Sequence, residues 1–162
     1  MRNLALLLLR LVAGGLVAGH GAQKLFGSFG GPGPEGTAQW LGSMGLEPSD
    51  KWAKAAGWSE FGGGLLTALG FLHPLGPIGI LSSMAVATGK VHWGKPVWVT
   101  EGGAELPVTN SAIALALALA GPGRYSVDRL LGTRAPRRIL ALALPAATFG
   151  IAAALARANG QD

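Results

Sequence analysis

The chain has 162 residues, of which 49% are hydrophobic and 13% are charged, and its mean hydropathy is +0.40. Soluble domains usually carry about 25% charged residues, so this composition excludes an ordinary soluble domain and indicates a membrane protein. The sequence contains no cysteine, which excludes disulfides, thiolate metal sites and thiol redox chemistry by the chain itself. The formal net charge of +5 is typical of basic residues that set orientation and contact anionic lipid, and we predict no nucleic-acid partner.

The first apolar stretch covers residues 4–26 and has the sequence LALLLLRLVAGGLVAGHGAQKLF. It is longer than the roughly 20 residues that a helix needs to cross a bilayer, and we predict a retained membrane-spanning helix instead of a cleaved signal peptide. Arg10 lies inside the apolar run, and His20, Gln23 and Lys24 lie at its far end. Charged groups at such positions are energetically costly, so they indicate a site or a partner.

Four further apolar segments predict helices over 52–72, 75–93, 105–120 and 139–156. The sequence His73-Pro74 separates the first two of these, which therefore form an antiparallel hairpin. The pattern predicts an all-α membrane protein, a four-helix transmembrane bundle plus a fifth C-terminal transmembrane helix.

The stretches between these helices are rich in Gly and Pro and predict loops over 27–51 and 94–104. Within the first loop, 37–44 predicts a short amphipathic helix at the membrane interface. We divide the chain into a four-helix membrane domain, 1–132, and a basic linker with a C-terminal hydrophobic helix, 133–162.

Glycine patterns indicate where the helices contact each other. Gly15 and Gly19 form a GxxxG pattern, which favours ordinary contact within the bundle over homodimerisation. The tract 62–64 leaves a smooth helix surface against which a neighbour packs. A homo-oligomer through such small-residue faces is a further expectation.

Lysine and arginine residues that flank the predicted spans indicate the orientation of the chain. Six lie on each side if the spans alternate, so the count alone does not decide. Five of them are arginines in the single segment 121–138, and short loops carry the orienting signal. We therefore predict a cytoplasmic N-terminus.

The polar residues inside the predicted spans allow two interpretations. In one, Glu60 is the centre of an outward-facing ligand or proton site with His20, His92 and Asn110 as hydrogen-bonding partners. In the other, Glu60 pairs with Arg10, His20 or Lys24 and only fixes the first helix against the second. Both interpretations concern the same candidate residues: Arg10, His20, Lys24, Glu60, His92 and Asn110.

Metal and haem sites receive little support from the sequence. His20 and His92 lie on different helices, which is a weak pattern for a bis-His haem. A zinc site from His20, His92, Glu105 and Glu60 has no local spacing motif. We predict no metal, no intrinsic cofactor and no self-contained catalytic motif.

An ordered set of segments resembles the DoxX family of small four-helix inner-membrane proteins over about residues 8–130. The segments are LRLVAGGLVAGHGAQKLFG, GTAQWLGSMGLEP, GGGLLTALGFL after Glu60, Lys-x-His after the third helix, and GPGRYSVD after the fourth. The Arg, His-Gly-x-x-Lys and Glu positions of the family correspond to Arg10, His20, Lys24 and Glu60, and its closing signature to 121–128. The fifth hydrophobic run departs from the four-helix pattern.

The resemblance implies a bacterial inner-membrane protein in a functionally uneven family. Some relatives are subunits of quinone-linked oxidoreductases, including thiosulfate:quinone oxidoreductase, and others belong to oxidative-stress or detoxification complexes. The leading hypothesis is an auxiliary subunit that binds a quinone-like molecule or lipid around Glu60, with redox partner subunits. The alternatives are a small proton-coupled transporter that uses Glu60 and a structural membrane partner whose polar residues lock the helices together.

Overall fold

The computed structural model describes residues 1–156 of the chain. Its helices are α1 (Arg2–Phe26), α2 (Gly33–Ser43), α3 (Ser49–Leu69), α4 (Leu75–Lys90), α5 (Glu105–Ala120), α6 (Val127–Leu131) and α7 (Arg137–Ala156). No strand occurs in this part of the chain, and the predicted all-helical fold is confirmed. Each predicted apolar segment forms a helix within a few residues of the predicted bounds. The short interfacial helix begins earlier than predicted, at Gly33.

Two of the described helices are long and apolar enough to cross a membrane, α1 with 25 residues and α7 with 20. Helix α5 is apolar but has only 16 residues. Helix α3 has 21 residues but carries four charged side chains, three of them in its first two turns and Glu60 near its middle. Length and hydropathy therefore do not confirm four spans plus a fifth, and that count stays a prediction.

Hydrogen bonds at one end of the bundle show which helix ends lie next to each other. The Arg2 guanidinium donates to the Ala120 carbonyl at 3.2 Å, and the Arg124 N–H donates to Asn3 Oδ1 at 3.1 Å. The start of α1 therefore lies beside the end of α5. We call this end, formed by residues 1–3, 70–74 and 120–138, the arginine end.

Helix α7 extends from the arginine end to the opposite end of the bundle. It packs along α4, and Ala154 is completely buried in a cluster with Leu41, Leu46 and Ala53. Its remaining surface is mostly exposed, as expected for a helix that faces lipid on its outer side. The C-terminal apolar run is therefore packed directly on the helices that precede it.

Helix α3 lies between α1 and α4, and successive glycines face the two neighbours. A Cβ atom added at Gly64 would lie 2.6 Å from the Gly14 carbonyl oxygen of α1. A Cβ added at Gly63 would lie 3.1 Å from the Gly76 carbonyl oxygen of α4, whereas Gly62 faces open space. The prediction that this glycine tract packs against a neighbouring helix is confirmed.

The predicted contact through Gly15 and Gly19 is wrong. A Cβ atom at either position would meet no atom within 4 Å. The close contacts of α1 come instead from Gly14 and Gly21, where an added Cβ would lie 2.7 Å from Gly64 O and 2.6 Å from Phe61 Cα. The reason is rotational: neighbouring residues of a helix point about 100° apart, so the GxxxG pair faces away from α3.

The glycine contact between α1 and α3 predicts a position-dependent effect of one methyl group. Gly64→Ala should lower the free energy of unfolding by about 1–3 kcal/mol, because the backbones must separate to admit the Cβ atom. Gly62→Ala is the matched control and should leave stability unchanged or slightly raised, since alanine favours the helix. Thermal unfolding followed by circular dichroism in detergent measures both, and equal melting temperatures would contradict the packing.

Candidate functional site

An ion pair between Lys24 and Glu60 joins α1 to α3. The Lys24 ammonium group donates a hydrogen bond to Glu60 Oε2. Glu60 is 5% exposed, and the Lys24 side chain is 21% exposed. Because an unpaired carboxylate is costly to bury, the pair explains how α3 holds a carboxylate near its middle. Of the three partners considered for Glu60, the structure pairs it with Lys24.

In the described part of the chain, only one oxygen of the Glu60 carboxylate accepts a hydrogen bond. Among residues 1–156, Oε1 has no hydrogen-bond donor, since the bond from Lys24 goes to Oε2. A carboxylate accepts hydrogen bonds at both oxygens. Glu60 therefore offers an open acceptor beside a cation that has further N–H donors.

The pair borders an elongated apolar cavity of about 420 Å³. The walls come from α2, α3, α4 and α7, and along α4 the lining extends from Leu75 to Val91, about 24 Å at 1.5 Å per residue. The Ser59 hydroxyl, next to Glu60, donates to the Gly79 carbonyl at 2.8 Å, which places the pair about 6 Å from the Leu75 end of this lining. Volumes of this size are typical of small-molecule sites.

Other polar groups in the cavity wall are already engaged. The Ser82 hydroxyl donates to the Ile78 carbonyl at 2.8 Å, and the Lys90 ammonium donates to the Met44 carbonyl at 3.2 Å. Such bonds to backbone carbonyls satisfy these groups without a ligand. The free hydrogen-bonding capacity therefore lies mainly at the Lys24–Glu60 pair.

Helix α7 supplies a wall that the sequence interpretation did not predict. Ala143, Ala147 and Gly150 line the cavity at spacings of four and three residues, so they share one helix face. A Cβ atom at Gly150 would meet no atom within 4 Å, so the space in front of it is open. The spacing of these small residues was the available signal, but every residue predicted for the site, from Arg10 to Asn110, lies on the first four predicted helices.

Lys24 also borders a second opening of about 380 Å³ on the surface, with His20, Gln23 and Thr37 in its lining. We call it the surface recess. His20 is exposed, and its Nδ1 lies 3.1 Å from Gln23 Oε1. The structure thus brings His20 near Lys24 but not to the Glu60 cavity.

His92 and Asn110 lie apart from the Glu60 cavity. The His92 Nδ1–H donates to the Gly102 carbonyl at 2.6 Å, beyond the end of α4. Asn110 is on α5, and neither residue belongs to the cavity lining. Their role in ligand binding stays a prediction.

Arg10 serves the arginine end and does not contact Glu60. It is 3% exposed, and its Nη2–H donates to the Tyr125 carbonyl. The guanidinium lies so close to Gly70 that a Cβ there would overlap it. Nε and Nη1 of Arg10 have no hydrogen-bond partner in the described part of the chain. Arg10 therefore connects α1 to the segment after α5.

Residues 1–156 contain no group of three or more histidine, aspartate or glutamate side chains placed to hold a metal ion. The geometry of the site is an ion pair in an apolar cavity. Such a site suits an uncharged molecule with a polar head and an apolar body.

A family model described as DoxX matches residues 5–93. The chain belongs to the DoxX family. The resemblance found in the sequence is thereby confirmed, and the protein is a small helical membrane protein of a family often linked to redox or quinone-related processes. No curated protein and no solved structure matched the chain. The matched region contains Lys24 and Glu60, whereas the α7 wall of the cavity lies outside it.

The ion pair predicts that removing one partner costs more stability than removing both. Glu60→Leu leaves the Lys24 ammonium beside an apolar cavity, and we expect a loss of about 2 kcal/mol, between the values for exposed and fully buried pairs. Lys24→Met in the same chain should recover most of that loss. Unfolding of the single and double variants in detergent measures the coupling, and strictly additive losses would show that the two side chains do not interact.

Proposed function

We propose that this DoxX protein binds a quinone-type molecule in the apolar cavity, with the head group at the Lys24–Glu60 pair and the apolar chain along α4. The observation that carries the proposal is a buried ion pair with an open carboxylate oxygen in an otherwise apolar cavity. The link of the family to quinone-related processes supports the same ligand class.

The two charged groups suit the two redox forms of such a ligand. The Lys24 ammonium group donates a hydrogen bond to a quinone carbonyl oxygen, and the Glu60 Oε1 atom accepts one from a quinol hydroxyl. Hydrogen bonds with an ionised partner are about twice as strong as neutral ones, and the apolar walls keep water from competing. The protein thus holds the ligand for a partner subunit that carries out the electron transfer.

The proposed setting is the bacterial inner membrane with the arginine end in the cytoplasm. The arginines at 124, 129, 134, 137 and 138 support this orientation through the excess of basic residues on cytoplasmic loops. In this orientation α1 carries Lys24 toward the outer side, where the surface recess opens.

A purely structural role for the ion pair is the competing hypothesis, because the pair joins α1 to α3. The double variant Lys24→Met/Glu60→Leu separates the two functions. It leaves neither charge unpaired and should fold, but it lacks the two charged groups proposed to bind the head of the ligand.

Ligand binding can be followed through the protein's own fluorescence. Trp40 and Trp52 line the cavity, so a quinone bound there should quench their emission. The double variant Lys24→Met/Glu60→Leu should weaken binding of a decyl-chain benzoquinone about tenfold, as expected when the charge-assisted hydrogen bond from Lys24, about 1.5 kcal/mol or more, is lost. The control Asp50→Asn removes an exposed carboxylate from the same helix and should bind normally. A folded double variant with unchanged affinity would favour the structural role.

The α7 wall predicts a second effect, on the apolar part of the ligand. Gly150→Leu places a side chain in the open cavity and should weaken binding of the decyl-chain quinone at least fivefold, because the chain and the leucine need the same volume. A quinone with only methyl and methoxy substituents should bind as before. The control Ala152→Leu adds the same side chain to an exposed position of α7. Equal affinities for all three proteins would exclude α7 from the binding site.

A further inference from the structure

A second cavity lies at the arginine end, separate from the Glu60 cavity. Its volume is about 550 Å³, and its walls come from the α3–α4 turn, the segment after α5, helix α6 and the residues that follow α6. Arg129 and Arg134 supply its cationic groups, and Asp128 and His73 also line it. None of these residues lines the Glu60 cavity.

The carboxylate of Asp128 accepts three hydrogen bonds, two from backbone N–H groups and one from a side-chain hydroxyl. Oδ1 accepts from the Leu72 N–H at 2.9 Å and from the Thr133 hydroxyl at 2.8 Å, and Oδ2 accepts from the His73 N–H at 2.8 Å. Asp128 is only 4% exposed. It holds the α3–α4 turn in place, and it forms no ion pair with either arginine of the cavity. In the part of the chain that the structure describes, both guanidinium groups are without an acidic partner.

Among the described residues that line this cavity and the void behind it, Asp128 is the only acidic one, and Arg10 adds a further positive charge. Burial lowers the pKa of the His73 imidazole, so His73 is mainly neutral at pH 7, and its Nε2–H donates to the Ala118 carbonyl at 3.1 Å. Arg10 lies behind His73, and the two side chains share a small void large enough for about one water molecule. This region has a net positive charge, because the guanidinium groups of Arg129, Arg134 and Arg10 outnumber the single carboxylate, that of Asp128. A net positive charge favours the binding of an anion.

The position of the cavity relative to the apolar helices indicates the source of that anion. Both membrane-length helices begin at this end, α1 at Arg2 and α7 at Arg137. Leu119 is 81% exposed and Leu130 is 83% exposed, and the latter follows Arg129 directly. Apolar side chains beside arginines are typical of the membrane interface. There the apolar side chains enter the acyl region, and the arginines reach the head groups.

We propose that this cavity binds the phosphate of an anionic phospholipid, with Arg129 and Arg134 as its hydrogen-bond donors and Leu130 against the acyl chain. The planar guanidinium group donates two parallel hydrogen bonds to a phosphate. Phosphatidylglycerol has no cation in its head group, so its net negative charge is attracted to the positive cavity. A zwitterionic lipid carries its own cation into an already positive cavity and is disfavoured.

Native mass spectrometry of the full chain, released from mixed micelles of phosphatidylglycerol and phosphatidylcholine with identical acyl chains, tests the proposal. The wild-type protein should retain one phosphatidylglycerol preferentially. Arg129→Gln/Arg134→Gln should reduce that retention about tenfold to thirtyfold, because each basic residue near an anionic lipid contributes roughly a fivefold factor. The matched control Arg124→Gln/Arg138→Gln removes the same charge at the same end from residues that do not line the cavity, and it should retain the lipid.

Each other outcome overturns the proposal. Equal losses in both double variants would mean that only the overall charge attracts lipid, and equal retention of phosphatidylcholine would remove the role of net charge. Displacement of the lipid by millimolar glycerol phosphate would show a phosphate site that needs no acyl chain. The conservative variant Arg129→Lys/Arg134→Lys keeps the charge and controls for folding; it should retain more lipid than the Gln variant.

Discussion

The close approach of α1 and α3 is the constraint on which the rest of the bundle depends. Gly14, Gly21 and Gly64 let the two backbones meet without intervening side chains, as small residues commonly do in membrane helices. This contact fixes both the distance and the rotation of the two helices. Only in that arrangement does a lysine from the end of one helix reach a carboxylate near the middle of the other.

Hydropathy was sufficient to predict the helices, because an apolar run of about 20 residues has few alternatives to a helix in a membrane protein. The contacts between helices were harder to predict. Depth along the membrane normal predicts His20 and Asn110 near the level of Glu60 and Arg10 nearer the cytoplasmic side, but depth says nothing about rotation around each helix axis. The structure turns Arg10 toward the segment after α5 and directs His20 to the surface recess.

The α7 wall of the cavity was not predicted, for a similar reason. A wall made of alanine and glycine has no chemical signature, and its 3–4 spacing on α7 is equally expected of any packed helix. What the sequence did predict was the residue that requires an explanation: a glutamate inside an apolar helix implies a partner. The partner of Glu60 is Lys24, and not Arg10 or His20, because of the way the glycine faces pack in three dimensions.

Lys24 lines both the apolar cavity and the surface recess, and this position has a consequence for communication across the site. The ammonium group has a fixed number of N–H donors, so a molecule that takes one on the cavity side changes what remains for the other side. A ligand bound in the cavity, as proposed above, would therefore change the hydrogen bonds that Lys24 can make in the surface recess.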